Sequence, residues 1–402
     1  MKVIQINSLC DTGSTGKLVY YCHKYYLEHG VDSIVLYGRG DTVKDLYSVR
    51  VCSELYSKIN NLWSRFTGLM YGGLFFSTQK TIEYINIEKP DVVHLQCING
   101  YFINIYKLVD FLKQNKIKTV VTLHAEFMFT ANCGHSFECE KWRFGCGNCS
   151  DYRKITKSIF KDNTAKSWNL LKKAFDGFDD NVVIASVSPW LQNRAMQSPI
   201  LSKFKHVTVL NGIDTSTFLY KRVACNETIK NWNEQRMVFF VTPEFSISKD
   251  HIKGGYYFIE LAKRFPEIRF VVAGPCKSNI KVPDNVTMLG MINNQDCLAT
   301  YYSLADITLL LSRRETFSMV CAESLCCGTP VVGFKAGAPE MISIKEFSSW
   351  VEYGDMNGLV SQVIKMLDLN LKKEEISRIA IEKYDSRVMA SQYLSLYKSL
   401  LA

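Results

Sequence analysis

The sequence predicts an α/β protein built from two Rossmann-like, doubly wound parallel-sheet domains. Three observations lead there. At 402 residues the chain is longer than one hydrophobic core usually serves. Short strands, apolar at nearly every position, alternate with helical periods, as expected of parallel strands covered on both faces. That alternation stops at a polar stretch around 224–236 and then begins again.

In the first half, residues 3–7 read as a strand that runs into a loop from Cys10 to Gly16. A helical period through Tyr20, Tyr21 and Leu27 follows and stops at Gly30. Further strands are predicted over 33–37, 91–95, 118–124, 182–187 and 207–210, with helices over 105–114 and 165–175 between them. After the polar stretch, strands are predicted over 237–241, 269–273, 286–289, 307–311 and 331–334, with a helix over 254–264. The last helix, 386–401, carries Met389, Tyr393, Leu396, Tyr397 and Leu400 at helical spacing, so its apolar stripe must pack on something. The expected division is 1–212, with 386–402 packing back on it, and 213–385, joined by a linker near 211–236.

Composition narrows the function classes. Apolar residues at 47% and charged residues at 22% fit a globular protein and exclude a disordered or fibrous one. No apolar run approaches the roughly 20 residues that span a bilayer, and residues 1–7 lack the long apolar core of a signal peptide. A cytoplasmic enzyme is expected, either free or peripheral on the cytoplasmic membrane face. The formal charge of +9 favours anionic partners. No nucleic-acid module or basic tract interleaved with aromatics appears, so nucleic acid is not an expected partner.

In open α/β sheets, ligands sit beyond the carboxyl ends of the strands, and the loops there carry the polar residues. Asp11-Thr12-Gly13-Ser14-Thr15-Gly16-Lys17 follows the first strand, where Gly13 and Gly16 let backbone approach a ligand; a plain βα turn is the other reading. The dinucleotide fingerprint Gly-x-Gly-x-x-Gly is not matched, which counts against an oxidoreductase. Glu315 falls just past a buried strand. Thr316, Phe317 and Ser318 then open a helix that carries Glu323, with its amides aimed at the strand-end crevice, a seat for a diphosphate. A carboxylate beside that seat accepts hydrogen bonds from sugar hydroxyls, although a surface Glu pair at a helix start is an equal alternative on spacing alone. His124 ends a strand, a position more often structural than catalytic.

Two further groups stay open. Cys133, Cys139, Cys146 and Cys149 fall within seventeen residues, and only the second pair has the two-residue spacing of a zinc knuckle. A structural zinc and reduced or redox-labile thiols stand as equal readings. The stretch from Ile59 to Phe76 is aromatic, weakly basic and broken by glycine. It reads either as a contact with membrane or a lipid-linked acceptor, or as a helix packed on the first domain.

Taken together, Ser312-Arg313-Arg314-Glu315-Thr316-Phe317-Ser318 and the run on through Glu323 to Gly328-Thr329-Pro330-Val331 resemble the signature of retaining GT-B glycosyltransferases of family four, of the colanic-acid and exopolysaccharide type. That signature has two Glu separated by seven residues, a Gly-Thr-Pro-Val turn and a Gly-Gly-x-Pro-Glu-like loop, here Gly337-Ala338-Pro339-Glu340. Asn211-Gly212-Ile213-Asp214, followed by Phe218, looks like the family's inter-domain motif.

The resemblance implies a GT-B fold with an inter-domain cleft. It implies transfer of a hexose, with retention, from a UDP- or GDP-sugar to a hydroxyl of a growing, lipid-linked bacterial surface polysaccharide, with no metal needed for catalysis. Carried onto this chain, it gives His124 and Glu315 as catalytic. Gly13, Gly16, Lys253, Glu315, Thr316, Phe317, Ser318 and Glu323 are donor-binding, and Asn99, Tyr101 and Glu126 are on the acceptor side. The chain departs from the pattern in places. Ala125 stands where relatives have Asp, and Gln96 and Asn99 stand where close relatives often have His. The diphosphate Arg is absent: Thr242-Pro243 occupies one position for it, with Lys249 or His251 as substitutes. A sugar-nucleotide epimerase of the same fold and a non-catalytic glycan-binding protein remain as rival readings.

Overall fold

The computed structural model describes residues 1–44, 47–221, 235–276 and 280–402. By its contacts the chain divides into two units, Met1–Leu210 with Met389–Ala402, and Asn211–Val388. The polar stretch expected as a linker lies mostly outside the described residues.

The first unit is a parallel sheet in the order β3-β2-β1-β4-β5-β6-β7. Its strands are β1 Lys2–Asn7, β2 Asp32–Tyr37, β3 Ser48–Arg50, β4 Val92–Leu95, β5 Thr119–Leu123, β6 Val182–Ser186 and β7 Lys205–Thr208. The central strands are buried along their whole length, because helices cover both faces. Chain order reverses between β1 and β4, so the loops after these two strands flank the crevice of this sheet.

The second unit repeats the design in the order β10-β9-β8-β11-β12-β13. The strands are β8 Met237–Val241, β9 Arg269–Ala273, β10 Val286–Met288, β11 Ile307–Leu310, β12 Val331–Phe334 and β13 Ser348–Val351. Its core packs Val238, Phe240, Phe258, Phe270, Leu309 and Val332 at no more than 2% exposure. Here the reversal falls between β8 and β11. The predicted α/β class with two doubly wound parallel sheets is therefore what forms.

The helix Ser386–Leu401 gives its aromatic stripe to the first unit. Tyr397 and Tyr393 are buried, and their hydroxyls reach His94 on β4 (2.6 Å) and Thr122 on β5 (3.0 Å). The helix Glu54–Thr67 is capped by Ser53, whose hydroxyl accepts from the Tyr56 amide at 3.1 Å, and stops at Gly68 in the left-handed region. Among the described residues, no helix is long and apolar enough to cross a membrane.

Candidate functional site

In the second unit the two loops at the sheet's switch point meet. The loop after β8 ends at Gly254, with φ of +74°, which opens the helix Gly255–Arg264. A Cβ on Gly254 would lie 2.2 Å from the Leu311 carbonyl oxygen, so only glycine allows this helix start to touch the end of β11. The Arg313 amide donates to the Ile252 carbonyl at 2.8 Å and stitches the loops together. Their side chains meet as a consequence: Lys253 Nζ lies 2.6 Å from Glu315 Oε1. Both are sheltered, at 23% and 18% side-chain exposure, so water screens this pair less than a surface one.

Glu315 is fixed by main-chain bonds on both sides. Its amide donates to the Ala336 carbonyl (2.9 Å), and its carbonyl accepts from the Ala338 amide (3.2 Å). The Glu340 carboxylate in turn accepts from the Ala336 and Gly337 amides and holds that turn closed. Thr316 is half-buried, Phe317 is buried, and Ser318 sits at φ of +90°, an unusual conformation for a residue with a side chain. From there Ser318 caps the helix Met319–Cys326 by accepting from the Cys321 amide at 3.3 Å. Glu323, on that helix, accepts from the Tyr302 hydroxyl at 3.1 Å. Burial raises the Tyr302 hydroxyl well above the usual tyrosine range, so it stays a donor. Sequence reasoning missed Tyr302, which sits in the helix Gln295–Leu304 with no motif around it. The structure thus brings Lys253 and Glu315 together, with Thr316, Phe317 and Ser318 leading into the helix that carries Glu323. Of the expected Arg substitutes, Lys249 is exposed and lies over the Tyr256 ring, and His251 is half-buried.

In the first unit the helix Gly13–Glu28 opens directly on Gly13, at φ of +65°, and no side chain caps it. Gly16 packs on Leu9, and its carbonyl accepts from the Asp11 amide at 3.1 Å. At the end of β5, His124 Nε2 lies 2.9 Å from Gln96 Oε1, so Nε2 carries the proton and donates to that oxygen. The Gln96 amide nitrogen lies 3.3 Å from His94 Nδ1, and His94 Nε2 lies 2.7 Å from Thr122 Oγ1. Tyr26 and Tyr397, 3.1 Å apart at their hydroxyls, extend the chain. Burial lowers His124 to about 4, and it lowers His94 to about 3 with His124 as a smaller cause; both rings are neutral at pH 7. Asn99 and Tyr101 are half-buried in the loop after β4, where the Tyr101 carbonyl accepts from Asn60 Nδ2 at 2.7 Å.

Glu126 occupies a different kind of place. It is fully buried, paired with Arg194 Nε, and its carboxylate also accepts from the Ser136 amide. Arg194 donates to Ser136 Oγ at 2.7 Å and lies over the Trp142 and Trp190 rings. This ion pair and the buried Trp142 hold the cysteine-bearing loop. Trp142 Nε1 donates to the Cys139 carbonyl (2.9 Å), and Trp168 Nε1 to the Trp142 carbonyl (3.1 Å). The zinc reading of Cys133, Cys139, Cys146 and Cys149 gains no support from the arrangement, although the four thiols lie close enough to act on one another electrostatically. Among the described residues, no group of three or more His, Cys, Asp or Glu is arranged to hold a metal. None of the four thiols is in a disulfide, and burial pushes Cys133 and Cys149 up and Cys146 to about 11.

Residues 246–369, which contain the Lys253–Glu315–Glu323 region, match the family model described as Glycosyl transferases group 1. The N-acetyl-alpha-D-glucosaminyl L-malate synthase of Bacillus anthracis is 33% identical over 128 residues, 31% of this chain and 33% of the synthase. An uncharacterized 41.2 kDa protein in the cps region of Klebsiella pneumoniae is 25% identical over 364 residues, 86% of this chain and 89% of that protein. The putative colanic acid biosynthesis glycosyl transferase WcaC of Escherichia coli K12 is 24% identical over 163 residues, 37% of this chain and 39% of its own length. The chain thus spans about a third of the length of the synthase that it matches. Among solved structures, sucrose-phosphate synthase from Thermosynechococcus elongatus aligns over 100% of this chain and 99% of its own, with TM-score 0.70 and 13% identity. Anabaena HepE in complex with UDP-glucose aligns over 99% and 100%, with TM-score 0.64 and 13% identity. The fold is GT-B, as expected.

Proposed function

We propose that this chain, a group 1 glycosyltransferase through its residues 246–369, moves a hexose from a nucleoside diphosphate sugar to a hydroxyl of a growing bacterial surface polysaccharide. The observation that carries this reading is the Lys253–Glu315 pair at the switch point of the second sheet, with Glu315 three residues before Ser318, which caps the helix that leads to Glu323. When the donor binds, its diphosphate takes Lys253 and the amides at the start of the helix Met319–Cys326, and this frees Glu315 to accept hydroxyls of the hexose. Glu323, oriented by Tyr302, accepts the ribose hydroxyls. Lys253 and the helix amides then stabilise the charge that grows on the departing diphosphate. His124, neutral and held by Gln96, is proposed to hydrogen-bond the transferred sugar, with Asn99 and Tyr101 on the acceptor side. Gly13 and Gly16 are proposed to line the donor diphosphate. Retention of the anomeric configuration, a UDP- or GDP-linked donor and a lipid-linked acceptor at the cytoplasmic membrane face complete the reading. A HepE complex with UDP-glucose in the same fold is consistent with a uridine donor.

The test is a panel of UDP- and GDP-sugars incubated with purified protein, following sugar release with and without oligosaccharide acceptors. Acceptor-dependent release that is lost in Lys253→Ala and Glu323→Ala supports the reading. Full transfer by either variant overturns the site, and acceptor-independent change of the sugar nucleotide identifies an epimerase instead.

A further inference from the structure

The helix Glu54–Thr67 is packed inside out. The residues that it buries are Ser57, Asn60 and Ser64, while Leu55, Ile59, Leu62, Trp63 and Phe66 are 46–68% exposed. At roughly 100° per residue those five side chains share one face, opposite the buried polar stripe. The helix cannot roll to hide them. Asn60 Nδ2 donates to the Tyr101 carbonyl (2.7 Å), Asn60 Oδ1 accepts from the Leu74 amide (2.9 Å), and Ser57 Oγ meets Cys52 Sγ (3.2 Å). Turning the apolar face inward would break all three bonds and bury their polar partners unpaired.

The apolar face continues beyond the helix. Phe160 stacks on Phe66 with centroids 5.7 Å apart, and the Ile159 amide donates to the Arg65 carbonyl at 2.9 Å; both residues are exposed. Cations border it. Lys58 and Arg65 lie along one edge of the helix face, and Arg153, Lys154, Lys157 and Lys161 lie in the adjoining segment, all exposed. Across residues 54–67 and 151–162 there are six Lys or Arg and three acids, Glu54, Asp151 and Asp162, a net of +3, and Lys154 lies 3.9 Å from Asp151. Glu54 is itself engaged by Arg39, Arg50 and the Gly40 amide.

The geometry points to a peripheral docking face for an anionic membrane surface, with the Leu55–Phe66 stripe and Phe160 seated among the acyl chains and the bordering cations on the lipid phosphates. A contiguous apolar stripe accounts for insertion, and the cation border accounts for the choice of an anionic lipid surface over a neutral protein groove. This deepens the membrane-side part of the proposed function, but it is measured with neither donor nor acceptor, so the two can fail separately.

The experiment is co-flotation of the full chain with vesicles of phosphatidylcholine alone or of phosphatidylcholine mixed with phosphatidylglycerol, at low and high salt. Binding to the anionic vesicles only, weakened by salt and reduced about tenfold or more in Leu62→Ser/Trp63→Ser/Phe66→Ser, is the expected result. The triple variant changes exposed residues only, so its far-UV circular dichroism and melting temperature should match the parent, and acceptor-independent donor binding should be unchanged. Equal binding to neutral vesicles, unaltered binding by the triple variant, or no vesicle binding together with dimerisation that the triple variant abolishes would each overturn the proposal.

Discussion

Lys253 Nζ and Glu315 Oε1 lie 2.6 Å apart, although 62 residues separate them in the chain. The main chain brings the two loops together, since Gly254 rests against the Leu311 carbonyl and the Arg313 amide donates to the Ile252 carbonyl. In the proposed function this charge pair is exchanged: the arriving diphosphate takes Lys253, and Glu315 is released toward the sugar. Lys253→Ala and Glu315→Gln should each lower kcat by about 100-fold or more. Because the two act together, the double variant should lose little beyond the worse single one, which a kinetic double-mutant cycle measures.

Tyr302→Phe keeps the ring and removes the hydroxyl that donates to Glu323 at 3.1 Å. Thermal melting should report a loss of about 1 kcal/mol. Nucleotide affinity by calorimetry should weaken further than that of a variant with equal stability loss elsewhere, because Glu323 loses its orientation.

Gln96→Leu should leave folding nearly intact but release the His124 ring. The expected outcome is a fall in kcat of about tenfold or more with KM for the donor within a factor of about two. Nitrogen-detected NMR should show His124 leaving the Nε2–H form. Gln96→His, which offers a ring nitrogen in place of the amide oxygen, should recover part of the activity.

Glu126→Ala removes the closer carboxylate from the Arg194 guanidinium, at 12% exposure, and leaves it Glu140 at 3.5 Å. The cost should therefore fall below the roughly 3–5 kcal/mol of a fully stranded buried charge. Melting temperature should fall by roughly 5 °C, and limited proteolysis should begin cutting in the 133–149 loop. Replacing Glu126 and Arg194 together by apolar residues should cost less than the single change.

Stability should decline as pH falls from about 6.5. His94 and His124 have folded values of about 3 and about 4, lowered by burial, against roughly 6.5 unfolded. Between those values the unfolded chain binds protons that the folded chain refuses, so stability is complete above about pH 6.5 and is lost progressively toward pH 4. Chemical denaturation across that range should show the slope, and His94→Gln should flatten it.

Much of the fold was legible because the central strands are buried on both faces and write themselves as unbroken apolar runs, as at Met237–Val241 and Thr119–Leu123. The edges were not. Ser48–Arg50 and Ser348–Val351 have mixed burial and no apolar run, and both escaped prediction; Lys205–Thr208, half-exposed throughout, was placed two residues late. The aromatic stretch from Ile59 to Phe76 left a helix packed on the first domain as one reading, and a helix forms over Glu54–Thr67; a helical wheel is the same whichever side faces inward, so the reversed burial could not be read from it. At the site, Glu315 and Glu323 were marked by their motif. Tyr302 was not, because its partner lies 21 residues away on another element. The four cysteines were left open for a related reason: spacing records how far apart thiols are along a chain, whereas the loop held by Trp142 and Arg194 decides how they are arranged.

The hydroxyls of Tyr393 and Tyr397 complete the polar network around His94 and Thr122. The first unit is therefore not a continuous piece of the message. Its sheet is translated within the first 210 residues, yet its last helix is completed only after the whole of Asn211–Val388 has been translated. Until then a nascent chain holds His94 without its phenol, and the order of synthesis makes the second unit, although later in sequence, the first to have all its parts.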